Sequence, residues 1–215
     1  TNTGGTPALA FLIASSASIV SGSNASITIS ADSMDLSAGS INSGSGTTTL
    51  KPRSNGTPIN LGGSDVLSGS LVLGLSDPDL DVITAGTLVI GSATAGAVTV
   101  SAAISPASAS NVEIITGAGI AVNSTLTVTN NLTLTVGGAV TATSAIDANG
   151  AVLLQGITAG TSIGVGGASG TAQFAASVFT NLADGASSIT IGAAAQTGAV
   201  TVNAVTFNDP VTIRS

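Results

Sequence analysis

Cysteine, histidine, tryptophan and tyrosine are all missing from this chain of 215 residues. Without cysteine there are no disulfides, no thiol chemistry and no Cys-ligated zinc. Without histidine there is no imidazole base, so Ser-His-Asp and Cys-His relays and histidine metal sites are excluded. Four phenylalanines, Phe11, Phe174, Phe179 and Phe207, are the whole aromatic complement, 2% of the chain, whereas a compact globular core draws much of its buried area from large rings. The 43% of apolar residues must therefore build a core from Val, Ile, Leu and Ala, which suits a thin core of small side chains stacked in layers.

Charge is scarce as well. Charged residues make up 6%, against roughly 25% in an ordinary soluble domain, so the polar surface must be Ser, Thr, Asn and backbone. Only Lys51, Arg53 and Arg214 are basic and the net charge is −7. That leaves no cationic footprint for phosphates and argues against nucleic-acid binding. A mean hydropathy of +0.61 argues against disorder. High β-propensity with little charge makes strand edges prone to pair with other chains. The most hydrophobic run, Pro7 to Ala14, is shorter than the roughly 20 residues that span a bilayer and has no basic flank. It is expected to be a buried strand or a cap, with no membrane span. Because the chain begins at Thr1 rather than Met, any export signal is expected upstream.

What is present is alternation. Ile27-Thr-Ile29, Leu71-Val-Leu73, Leu88-Val-Ile90, Val98-Thr-Val100, Leu126-Thr-Val128, Leu132-Thr-Leu134-Thr-Val136, Ile189-Thr-Ile191 and Val211-Thr-Ile213 recur along the chain. Period two places Leu, Ile and Val on one face and mostly Thr on the other, the pattern of a half-buried strand. The 28 glycines and many Ser and Asn fall mainly between these runs, where tight turns need them. The connections have no room for crossover helices, which an ordinary parallel sheet requires. A β-helix needs none, because its strands pair only after a whole coil. Coils of roughly 20 residues predict about ten of them.

A longer repeat points the same way. Ile83 to Val100 reads against Leu182 to Val202, with Ile90 matching Ile191 and Gly96 matching Gly198, so one residue is inserted in the turn. Such self-similarity marks a repeat architecture. The sequence therefore predicts an all-β fold, a β-solenoid running through residues 1–215 as a single elongated segment, with related modules at about 83–104 and 182–207. Two tandem immunoglobulin-like β-sandwiches would fit the same offset; the missing Trp and Tyr count against them.

The stretch Ile59-Asn-Leu-Gly-Gly63, then Leu71 to Ser92 and Gly96 to Ile104, resembles the repeats of filamentous-haemagglutinin-like and autotransporter-like bacterial exoproteins. Ile27 to Leu36 and Gly44 to Leu50 resemble the coils that precede that block in such proteins. The resemblance implies a right-handed parallel β-helix, secreted to the bacterial surface and serving as a shaft or adhesive face. None of the Asn-Pro-Asn motifs of the family's secretion domain is found, which implies an interior or carboxy-terminal piece.

Little in the chain carries chemistry. Glycosidases and lyases also use β-helices, but they need paired carboxylates, usually with basic residues. Most of the ten acids here stand alone beside turns, where Asp bonds nearby backbone N–H groups. No catalysis and no cofactor are expected. Asp77-Pro-Asp-Leu-Asp81 is the one acidic cluster and the one metal candidate: Asp77, Asp79 and Asp81 start like a calcium loop, but no Gly and no closing Glu follow. The competing reading is a Pro-containing turn with Asp77 capping and Leu80 and Ile83 tucked inward. Gly62-Gly-Ser-Asp65 is half of a calcium-roll repeat without tandem copies. Gly164 to Gly170 lacks the Lys and helix of a phosphate loop. Thr125, Thr127, Thr129, Thr133 and Thr135 offer strand-face hydroxyls for ice or sugar, though Thr is also the ordinary outward residue of a strand. Sequons at Asn24, Asn55, Asn123 and Asn131 matter only in a glycosylating pathway.

The function expected is a non-catalytic structural and adhesive rod or fibre at the bacterial cell surface. Its partners are other copies or neighbouring repeats, through terminal coils, and a surface glycan or host receptor. A carbohydrate-binding module on the same scaffold is the alternative.

Overall fold

The computed structural model describes residues 11–215, so the first part of the Pro7–Ala14 run lies outside the described residues. Most alternations form strands where they stand: in Val98–Val100 both valines are buried and Thr99 between them is half-buried, whereas at Leu71-Val-Leu73 the strand lies instead at Leu73–Leu75, buried throughout. Strand takes 44% of the chain and helix 7%, so the protein is nearly all β. Every ladder between strands of the described residues is parallel. The one antiparallel pairing is an isolated bridge, Val66 with Val72. Immunoglobulin-like sandwiches are built from antiparallel sheets, so their pairing is not the one found.

The strands gather in an eight-stranded sheet, a ten-stranded sheet and two two-stranded pairs. In one of these pairs Leu126–Val128 lies beside Ile146–Ala148, and bridges to Ile104 and Leu182 extend it. The chain returns to the same sheet at short, regular intervals: Val112 pairs with Leu132 and Leu132 with Val152, and Ile120 pairs with Val140. Each return thus places an apolar residue on an apolar residue. Leu88, Val112, Leu132, Val152 and Ile189 form one buried column; Ile90, Ile114, Leu134, Leu154 and Ile191 form another. Each such side chain contributes about 2 kcal/mol through burial, and all belong to one continuous core cluster.

Two returns are much longer. Ile59 pairs next with Val98, and Ile163 with Val200. In each the chain doubles back before continuing. After Ile59–Leu61 a turn leads to Leu73–Leu75, which lies parallel to it at the end of the eight-stranded sheet. Helix α1 (Asp77–Asp81) follows. After Ile163–Val165 a shorter turn leads to Ala172–Phe174, which slots between that strand and Ala139–Ala142 of the preceding return, and helix α2 (Ala176–Asn181) follows. Both turns open with a glycine in the left-handed region, Gly62 at φ +86° and Gly166 at φ +67°. Its N–H donates to the returning strand, Gly62 to Leu75 O and Gly166 to Phe174 O, both at 2.8 Å.

The related modules at about 83–104 and 182–207 each follow directly on one of these two helices. Eight strands follow one another on the face from Ile27–Ser30 to Val211–Ile213, fewer than the ten that uniform short returns would give, because the two doubled returns use up chain. The expected Pro-containing turn at 77–81 is a single helical turn with Ser76, not Asp77, at its N-cap. Leu80 and Ile83 are buried as expected.

Candidate functional site

The chemistry-bearing side chains collect around the two doubled returns. At the first, Asp79 is buried because it works as an acceptor for backbone on both sides. One oxygen accepts from Leu36 N–H at 2.9 Å and Ser37 N–H at 3.1 Å; the other accepts from Ser76 N–H at 3.0 Å and from the Ser76 hydroxyl. Asp65 joins Gly74 N–H at 2.7 Å to Met34 N–H at 2.9 Å. Thus Met34–Asp35 has no ladder to Leu73–Leu75, and the Met34 amide, with the Leu36 and Ser37 amides just beyond the strand, is met by two carboxylates instead. Buried backbone donors need partners, and here side chains supply them.

A cleft of about 370 Å3 lies over this seam, lined in part by Asp35, Asp65 and Asp79. Burial pushes the Asp65 carboxyl above its ordinary range; the charges of Asp79 and Asp35 add to that, against the two backbone hydrogen bonds.

The three candidate calcium ligands do not converge. Asp79 turns toward residues 36 and 37, Asp77 accepts from Ser105 N–H at 2.6 Å, and Asp81 accepts from Ala107 N–H at 3.0 Å. Asp79 ties α1 to residues 36–37, and Asp77 and Asp81 tie it separately to backbone at 105–107. Among the described residues no group of three or more acids is arranged to hold a metal ion. Asp65, the acid of the half calcium-roll motif, belongs to the seam.

The glycine loop at 164–170 is a turn. A side chain at Gly164 would come within 2.0 Å of Ala168 O, so the turn can fold back against Ile163–Val165 only with glycine there. Of the threonine hydroxyls, Thr135 is buried and bonded to Glu113 and Gln155, while Thr127 and Thr133 are half-exposed and Thr125 and Thr129 exposed. All four sequon asparagines are exposed; Asn24 and Asn131 accept from Ser45 N–H and Ala151 N–H.

At the second doubled return a larger opening of about 590 Å3 lies between α2 and residues 204–208. Phe179 and Val205 contribute apolar walls, and Thr180, Thr206 and Asn208 contribute polar ones. Phe207 braces Phe179 edge-on, with ring centroids 5.1 Å apart. Sequence reasoning missed this opening and the seam alike. No sequence signal marks either one: the seam uses backbone amides as partners, and the opening comes from side chains absent from one copy.

Comparisons with protein families, with curated proteins and with solved structures find no match to this chain.

Proposed function

We propose that this chain is a segment of a right-handed parallel β-helix that serves as a non-catalytic structural and adhesive rod of a large bacterial surface protein. The observation that carries the reading is the in-register parallel stacking of apolar columns around one continuous core. A stack of that kind grows by addition of like layers about 4.8 Å apart, and it supports length without disulfides or charge. The resemblance of Ile59–Gly63 and Leu71–Ser92 to bacterial exoprotein repeats supports the surface location.

Self-association belongs to the same reading. Val202, Val211 and Ile213 are exposed at the outer edge of the last strands, a surface that suits another coil of the same kind. Antibodies raised against residues 11–215 should label intact bacteria, and protease applied to whole cells should remove the signal. Labelling that appears only after lysis overturns the surface reading.

A carbohydrate-binding module on the same scaffold is the second reading, favoured by the mixed apolar and polar opening beside α2.

A further inference from the structure

We infer that the opening between α2 and residues 204–208 is a binding site for a neutral sugar unit. This deepens the carbohydrate-binding reading and rests on it. The inference starts from the internal repeat, in which α1 and α2 occupy equivalent places. Leu73–Leu75 matches Ala172–Phe174 at a constant offset, so Asp77 corresponds to Ala176 and Asp81 to Thr180.

In the first copy those two aspartates close the gap between the helix and the chain beyond it, through Ser105 N–H and Ala107 N–H. In the second copy the corresponding side chains are too short to reach across. Ala176 and Thr180 instead line the space left open, about 590 Å3. The opening is thus a local departure from a closed arrangement that the same fold demonstrably forms.

Its lining selects the ligand. No charged residue lines it, so neither an ion nor a charged sugar is drawn in. Half-buried Val205 presents apolar surface suited to the C–H face of a pyranose, with Ala176 beside it and the buried Phe179 ring, packed edge-on against Phe207, forming the floor behind them. Thr206 and Asn208 make no side-chain hydrogen bond within the described residues, which leaves donors and acceptors for ring hydroxyls. An apolar wall with a few unspent polar groups is the general composition of a small-ligand site. A shallow, open site of this kind binds at millimolar concentrations.

The test is an NMR titration of the full chain with glucose, galactose, N-acetylglucosamine and lactose, and with glucuronate as the charged control. Saturable shifts confined to the amides of residues 176–180 and 204–208, from at least one neutral sugar and weaker with glucuronate, support the site. The double variant Ala176→Asp, Thr180→Asp restores the closure of the first copy. It should keep the wild-type spectrum elsewhere and bind at least about tenfold more weakly. Val205→Asp is the second variant: it puts a charge on the wall without depending on the closure forming, and should weaken binding by a similar factor. Shifts confined to strand faces away from α2 overturn this site while leaving carbohydrate binding standing. No saturable shift with any neutral sugar overturns both.

Discussion

Helix α1 carries Asp77, Asp79 and Asp81, and the same three positions of α2 hold Ala176, Val178 and Thr180. Both helices follow a strand that doubles back toward the preceding return, and both are one or two turns long. They differ in how the inserted strand is joined to its neighbour. Ala172–Phe174 pairs directly with Ala139–Ala142, Gln173 N–H donating to Gly138 O and Ala175 N–H to Val140 O. Leu73–Leu75 makes no ladder with Met34–Asp35, and the amides of Met34, Leu36 and Ser37 are met by Asp65 and Asp79. Where backbone meets backbone, a valine suffices at the buried helix position. Where it does not, a carboxylate is required, since each unmet buried donor costs about 1–3 kcal/mol. The difference shows one fold solving a single accounting problem by two routes.

If the second route rests on packing, its anchor should be Phe174, which is fully buried in the inserted strand at the place of Leu75. Phe174→Ala should lower stability by about 4 kcal/mol through lost burial and the cavity left behind, read as a shift of the urea midpoint. Leu75→Ala should cost less, about 3 kcal/mol. Equal losses, or a Phe174 loss below about 1 kcal/mol, would break the claim that packing holds this return.

The carboxylate route is tested by exchanging the helix residues. Asp79→Val imports the second copy's solution without its ladder, leaving the amides of Leu36, Ser37 and Ser76 without an acceptor. A loss of about 3 kcal/mol is expected, together with faster hydrogen exchange at Leu36. Val178→Asp should also destabilise, because the second copy offers no matching set of donors to a buried carboxylate. A neutral Asp79→Val variant with unchanged Leu36 exchange would show that the seam is held by something else.

Much of this was legible in advance. Alternations such as Val98-Thr-Val100 and Leu132-Thr-Leu134 gave strands whose apolar members are buried, because a period of two admits few other structures. The parallel pairing followed from connections too short for crossovers. The doubling back was not legible: the turn from Leu61 to Leu73 and that from Val165 to Ala172 differ in length and composition, so the repeat was recognisable only from Ile83 and Leu182 onward. Nor could the roles of Asp65 and Asp79 be read, since their partners at 34–37 are backbone amides, which every sequence has. The opening beside α2 was hidden for a related reason: it comes from side chains that are missing from one copy, and that shows only once the copies are superposed in space.

The seam makes one further distinction, between Asp65 and Asp32. Burial also pushes the Asp32 carboxyl upward, but bonds from the Ser54 hydroxyl and N–H and from the Thr57 hydroxyl outweigh it and hold this group below its ordinary range. Asp65 is held above that range. The signs for stability are therefore opposite. Asp65 contributes most below the unfolded carboxyl value of about 3.9 and loses that contribution as pH rises through its raised folded value. Asp32 contributes above about 3.9 and loses that contribution as pH falls through its lowered folded value. On acidification from neutrality Asp65 should take its proton first, relieving its buried charge while its bonds from Met34 and Gly74 weaken, and only below about pH 4 should the Asp32–Ser54 contact begin to fail. Both groups are solvent-accessible, so the effect on global stability is the smallest of those predicted and is better followed at each carboxyl carbon by NMR. Asp65 should titrate at higher pH than Asp32, with the Met34 amide proton shift following the Asp65 titration as its acceptor weakens. The reverse order, or a Met34 amide indifferent to the titration, would mean that the seam carboxylate is no more than a solvated acceptor at the surface.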